Sequence, residues 1–346
     1  MSKKPSDRDA PARRRRVHTS ATMSDVALLA GVSAMTVSRA LSAPGKVDKQ
    51  TLEKVRLAIE KTSYVPNLMA GGLKSRRNRL VAAIVPTLIS PVFNETVQSL
   101  TETFNAAGYQ LILGQSGYED SREEELVNAI IGRRPAGIVL TGVIHADAVR
   151  RKLIRSGIPV VETWDLTPTP IDTLVGFSHE AAARSVCRFL HDRGRRKLAV
   201  IAGDDVRARR RTAAFVAAAV ELGLRAPRVH EVPAPTTLGS GRSGLRNLMA
   251  PGADIDGLFC SSDLLALGVI TEANAMGLAI PGRFSLVGFG DLSFARDLDP
   301  ALTSVRVDGT RIGQEAARCI VDRAENDRTP ARLIDVGFSI VERESA

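Results

Sequence analysis

The residues that could carry chemistry in this chain are few, and most fail on spacing. Gly239-Ser240-Gly241-Arg242-Ser243-Gly244 matches the glycine fingerprint that cradles a dinucleotide pyrophosphate. That chemistry needs a strand directly before the glycines and an acidic residue about twenty positions later. Pro233 and Pro235 interrupt the approach and no acidic residue ends a second strand there, so the segment reads as a flexible helix entrance. No phosphate-loop Gly-Lys-Ser/Thr, Gly-x-Ser-x-Gly elbow or His-Glu-x-x-His occurs. His18, His145, His179, His191 and His230 fit no metal spacing, and three cysteines without a C-x-x-C pair suit a reducing compartment. No catalytic residue, metal or cofactor is expected. Binding chemistry remains. Arg207, Arg209, Arg210 and Arg211 form an arginine-rich wall, and a guanidinium fork grips a carboxylate with two bonds. Trp164, the one tryptophan, can stack on the apolar face of a polyol or simply pack in a core.

Charge divides the 346 residues unevenly. The net charge is +9, yet residues 1–79 hold 17 Lys and Arg against 6 Asp and Glu, and the remainder hold 30 against 32. A cationic module at one end of a neutral chain fits a polyanionic partner, and counterion release makes nucleic acid the obvious one. A solubilising tail would need no folded element beside the charge. No apolar run reaches the roughly 18 residues of a membrane span, and the basic first twenty residues lack the apolar stretch of a secretory signal. The expected address is the cytoplasm, without membrane association.

Periodicity supplies the folded element. Residues 1–21 read as a disordered basic arm. From there Ser24 is a candidate N-cap, Val26, Leu29 and Ala30 share one helical face, and Gly31 is a left-handed C-cap. Ser33 caps a second helix over Ala34 to Leu41, with Val37, Ala40 and Leu41 inward. A third runs from about Lys49 to Lys61 on Leu52, Val55, Leu57 and Ile59. Two short helices joined by a glycine turn and braced by a third predict an all-α helix-turn-helix headpiece over 22–66. Residues 67–79 form a short hinge helix and basic linker, and 80–346 a core. In that core, apolar strands at Leu80–Val85, Gln110–Leu113, Gly137–Leu140, Pro159–Val161, Thr173–Val175, Lys197–Ile201, Gly257–Cys260, Ser285–Val287 and Ser304–Val307 alternate with helices such as Phe93–Ala106 and Ala181–His191. That alternation predicts two doubly wound, parallel α/β subdomains around a cleft at the strands' carboxyl ends.

The segments Asp25-Val26-Ala27, Ala30-Gly31-Val32-Ser33 and Thr36-Val37-Ser38-Arg39-Ala40-Leu41 resemble the lactose/galactose repressor (LacI/GalR) family. Tyr64-Val65-Pro66-Asn67, Ser262-Asp263-x-x-Ala266-x-Gly268, Val287-Gly288-Phe289-x-Asp291 and Pro300-x-Leu302-Thr303-Ser304-Val305 carry the resemblance over about 22–340. It implies a homodimeric repressor with an operator-binding headpiece, a hinge helix and a core like that of periplasmic binding proteins. Ala34, Met35 and Ser38 would then meet base edges in the major groove, with Thr36 and Arg39 reaching phosphate or base and Thr22 and Ser33 beside them. Met35 would touch a thymine methyl or a base edge. Asn67, Ala70 and Leu73 fall on the hinge positions, Leu73 as the wedge in the minor groove. Gly71 and Gly72 each disfavour helix by about 0.8–1 kcal/mol, so the unbound hinge should be especially disordered. No leucine-heptad tail follows Phe338, which favours a dimer over a tetramer.

Strand ends nominate the cleft: Ser90, Phe93, Thr141, His145, Trp164, Asp165, Ser178, His179, Arg209, Arg211, Ser262, Gly290 and Asp291. Arg211 matches the family arginine directed at ligand oxygens. Gly290 stands where sugar-binding members usually carry aspartate, and Ser262 where many carry asparagine. Loss of a carboxylate beside the arginines favours an anionic effector. Leu140-Thr141-Gly142, Val160-Val161-Glu162-x-Trp164-Asp165 and Val175-Gly176-Phe177-Ser178 look like the gluconate-utilisation branch. That points to gluconate or a phospho or keto derivative, which charge alone does not separate. The other readings are a regulator answering a neutral sugar or nucleobase, and a transport protein for sugar acids. The latter would need a signal peptide and no basic headpiece.

Overall fold

The computed structural model describes residues 21–65, 79–89, 91–117, 120–250, 254–326 and 330–346. They fall into two compact units, one ending before and one beginning after residue 76, each with its own buried cluster.

The first unit holds α1 (Met23–Ala30), α2 (Ala34–Ser42) and α3 (Lys49–Thr62). Thr22, not Ser24, caps α1: its hydroxyl accepts from the Asp25 amide while the Asp25 carboxylate accepts from the Thr22 amide and hydroxyl. That reciprocal box satisfies two otherwise unpaired groups, which Ser24, inside the first turn, does not do. Gly31 ends α1 at φ 66°, and Ser33 caps α2 by accepting from the Thr36 amide at 3.1 Å. Val26, Ala27, Ala30, Val37, Ala40, Val55 and Ala58 form the core with Tyr64. Leu29, Leu41 and Leu57, expected inward, are exposed. Alanines occupy the contact lines instead, so each buried face sits about one residue away from the one marked by the larger side chains.

In the second unit the first sheet collects β1 (Leu80–Val85), β2 (Gln110–Gln115), β3 (Gly137–Thr141), β4 (Val160–Thr163) and β5 (Thr173–Gly176) around α4 (Asn94–Ala106), α5 (Asp120–Ile131) and α6 (Asp147–Ser156). The chain then crosses over through α7 (His179–Asp192) to a second alternation: β6 (Leu198–Gly203), α8 (Val206–Glu221), β7 (Arg228–Val232), α9 (Leu238–Leu248), β8 (Gly257–Cys260), α10 (Asp263–Ala275), β9 (Ser285–Phe289) and β10 (Thr303–Arg306). It returns along α11 (Gly309–Glu325) to place β11 (Leu333–Asp335) beside β5, and ends with β12 (Ser339–Val341) antiparallel to β10. The sheet orders are β11-β5-β4-β3-β1-β2 and β12-β10-β9-β8-β6-β7, parallel apart from β12. Two doubly wound subdomains are therefore present. β1, β4, β6, β8 and β9 are buried almost throughout, as strands covered on both faces must be. The strands absent from the expectation, β7, β11 and β12, are edge strands whose largely exposed residues carry no continuous apolar signal.

The glycine fingerprint lies inside α9, capped by Thr237, and is not a loose entrance. A Cβ on Gly241 would fall 2.1 Å from the Leu265 carbonyl oxygen, and one on Gly268 of α10 2.1 Å from that of Leu238. These glycines exist so that α9 and α10 can touch backbone to backbone. Gly268→Ala should therefore destabilise the core by about 1–3 kcal/mol through overpacking, read as a lower urea midpoint. A midpoint equal to wild type would show that the crossing has slack.

Candidate functional site

On the headpiece, Ser33 begins α2 and places Val37 and Ala40 inward, which turns Ala34, Met35, Ser38 and Arg39 to solvent. Met35 is 68% exposed. Thr36 is half-buried, with its hydroxyl 2.9 Å from that of Ser33, and Thr22 is engaged in its capping box. Asn67, Ala70 and Leu73 lie outside the described residues, as does Ser90 of the core.

The core's cleft lies between the two sheets, at their carboxyl ends. One chamber, with about 690 Å³ of empty space partly open to solvent, is lined by Phe93 and Trp164 from one side and by Arg207, Arg211, Thr236 and Ser262 from the other. Helix α8 decides the cationic wall. At 3.6 residues per turn Arg207, Arg210 and Arg211 share a face, whereas Arg209 lies opposite. Arg209 accordingly stands outside the chamber, exposed and paired in two bonds with Glu231. Arg211 is buried; one amine donates to His179 Nδ1 at 3.0 Å, another to the Ser261 carbonyl at 3.1 Å, and its guanidinium lies over Phe289 at 4.1 Å. Because a guanidinium only donates, His179 carries its proton on Nε2. Burial, and then Arg211, Arg207 and Arg210, hold this imidazole well below its usual pKa, so it is neutral. Arg207 covers Phe93 at 5.2 Å, and Arg210 ties Asp165 at 2.6 Å to Glu180.

Trp164 lines the chamber while packed edge-on against Phe93 and Phe177, and its indole N–H donates to Thr96 Oγ1 at 3.1 Å. Its φ of 69° lies in the left-handed region, a strain of order 1–3 kcal/mol for a bulky residue. Ser262 caps α10, and its hydroxyl meets that of Thr236 at 2.9 Å. Two nominated residues have other employment: Ser178 caps α7, and Asp291 is held by Arg343 at 2.7 Å, so neither lines the cleft. Gly290 has φ 127°, and a Cβ there would lie 3.6 Å from Asp263 Oδ2. A carboxylate is thus already present beside the chamber, in Asp263, fully buried and accepting from Ser304 Oγ and the Leu292 amide. Sequence reasoning passed over Asp263, Asp205 and Thr236. Asp205 is the N-cap of α8, a role legible from the helix start; Thr236, between strand and helix, has no such mark.

A second chamber adjoins the first and shares Asp205 and Arg207 with it. It contains Thr141 and His145 together with Asp165 and Glu123. His145 Nδ1 is 2.8 Å from Glu123 Oε1 and its Nε2 is 3.2 Å from the Gly142 carbonyl. Both partners only accept, so both ring nitrogens carry protons. Burial alone would lower this pKa; the bond and charge of Glu123, with Glu162, outweigh it and raise it.

A cationic helix-turn-helix headpiece ahead of a two-lobed α/β ligand-binding core defines a ligand-responsive DNA-binding regulator. A model of the bacterial lacI regulatory proteins matches residues 22–67, and one of a periplasmic binding protein-like domain matches residues 187–346. The HTH-type transcriptional regulator GntR of Pseudomonas aeruginosa is 32% identical over 94% of this chain and 95% of its own length. Among solved structures, a LacI-family transcriptional regulator from Silicibacter pomeroyi (31% identity, 94% and 99% coverage) superposes with a TM-score of 0.88. The transcription regulator GntR from Chromobacterium violaceum (32% identity, 77% and 98% coverage) does so with 0.73. The chain belongs to the LacI family of bacterial regulatory proteins, and it is a DNA-binding transcriptional regulator. No single helix among the described residues is long and apolar enough to cross a membrane.

Asp263 makes the cleft sensitive to acid. Burial raises its pKa from 3.8 to about 6, against the opposing bonds from Ser304 and Leu292. Between those values the folded chain binds more protons than the unfolded one, so this residue's contribution to stability falls as pH rises. Asp263→Asn lacks that linkage. The wild type's unfolding free energy relative to the variant's should decline from pH 3.8 to about 6. Parallel profiles would show that Asp263 does not titrate there.

Proposed function

We propose that the chain is a homodimeric transcriptional repressor released from a palindromic operator by a sugar acid. Residues 22–66 serve as the DNA-binding headpiece, 67–79 as the hinge and 80–346 as the effector-binding and dimerisation core. The observation that carries the effector reading is the pair of guanidiniums, Arg207 and Arg211, lining one chamber with Trp164. A carboxylate entering there meets two guanidiniums and a neutral imidazole, in a wall that also holds Asp205 and Asp263, while the indole offers an apolar face to a carbon chain. The sequence resemblance to the gluconate-utilisation branch points to gluconate-type acids. On the headpiece, the exposed start of α2 presents Ala34, Met35 and Ser38 to base edges, and Thr36 and Arg39 to phosphate or base, as a recognition helix does.

Effector and operator are coupled: whatever binds the closed core better weakens operator binding by the same factor. The favourable entropy of counterion release makes operator affinity fall steeply with salt. A regulator of neutral sugars would share the headpiece and would aim Arg211 at hydroxyl oxygens, so the ligand that binds, gluconate or a neutral sugar, separates the two readings. Arg211→Ala should weaken binding of gluconate by about ten- to hundredfold, the loss of a charge-assisted bond, and leave operator affinity without effector unchanged. Gel shifts on the chain's own upstream DNA at two salt concentrations, with and without gluconate, check both halves. Release of DNA by the variant at the wild-type gluconate concentration would move the effector elsewhere.

A further inference from the structure

The two chambers differ in charge although they share a wall. Arg207 and Arg211 line the first together with two carboxylates, Asp205 and Asp263, on the side facing the aromatic rings. In the second, Glu123, Asp165 and Asp205 stand against Arg207 and His145. His145 is committed to Glu123, and Asp165 to Arg210, which leaves Arg207 opposite Asp205. Among the described residues the lining holds no further cation. Arg122 approaches the mouth near Gly117 but is exposed, where water and salt screen it. A phosphate dianion needs surplus donors and positive charge; hydroxyls are content with a mixed wall such as Thr141, Glu123 and Asp165.

We propose that the second chamber takes the hydroxyl end of an unphosphorylated polyhydroxy acid, and that Glu123 is the specificity residue that rejects a terminal phosphate. The inference rests on the carboxylate of that acid lying at Arg207 and Arg211. His145 is a positioning residue: held by the Gly142 carbonyl, it aims the Glu123 carboxylate and keeps it from swinging out of the wall. A dianion brought against that carboxylate meets repulsion that His145, already bonded to Glu123, offsets only in part.

Calorimetric titration of the full chain with gluconate and with 6-phosphogluconate tests this. The wild type should bind the first at least about a hundredfold more tightly, as close like charges dictate. Glu123→Gln, which keeps the shape and removes the charge, should shrink that ratio by about tenfold or more. Equal or tighter wild-type binding of the phosphorylated acid overturns the proposal, and so does a ratio that Glu123→Gln leaves unaltered. If neither acid binds, the sugar-acid reading of the cleft fails and takes this one with it, a result distinct from loss of selectivity. Thermal unfolding without ligand checks that the variant folds. Should it not, Glu123→Ala takes its place, and the wild-type preference alone still decides against or for a phosphate-rejecting chamber.

Discussion

One helix organises the ligand-binding core. The first turns of α8 bring Arg207, Arg210 and Arg211 onto a single face, and each cation has to be compensated in a region largely removed from water. Arg210 does so across the cleft, joining Asp165 at the end of the first sheet to Glu180 at the start of α7. Arg211 does so against a neutral imidazole, a backbone carbonyl and the face of Phe289. Those contacts spread its charge over several groups. Arg210 thus ties the two lobes together, whereas Arg211 is held within the wall of the chamber.

The surroundings follow from this arrangement. His179 stays neutral because it is buried and surrounded by guanidiniums. Asp263, fully buried in the chamber wall, is pushed toward protonation, which softens a carboxylate close to Gly290. Trp164 is held in a left-handed backbone conformation by two aromatic edges and Thr96, whose hydroxyl in turn donates to the Gly309 carbonyl at the start of α11. The cavity wall is thus bonded to the helix that leads the chain back into the first sheet.

Small residues decide several packing surfaces that large ones would suggest otherwise. Gly241 and Gly268 let α9 and α10 meet at backbone distance, and Gly313 of α11 comes equally near Ser99 of α4. In the headpiece, alanines hold the helix contacts while Leu29 and Leu57 face solvent. A glycine-rich hexapeptide that imitates a phosphate cradle is, in three dimensions, a packing device.

Local signals in the amino-acid order were enough for the headpiece and for the alternation of the core. Gly31 and Ser33 punctuate a helix pair whatever surrounds them, and near-continuous apolar runs such as Leu198–Gly203 have no other stable use than strands covered on both faces. The helical period alone would have separated Arg209 from Arg207, Arg210 and Arg211. Other features depended on distant partners. β11 and β12 exist because β5 and β10 offer edges to three-residue segments that would not order by themselves. Ser178 and Asp291 sit at plausible strand ends, yet a cap and an arginine claim them. Glu123 joins the cleft only because His145, 22 residues later, reaches back to it. Sequence fixes what depends on neighbours within a few residues; the membership and charge of the cleft depend on which side chains the crossing of two sheets brings face to face, and that is decided only by the folded chain.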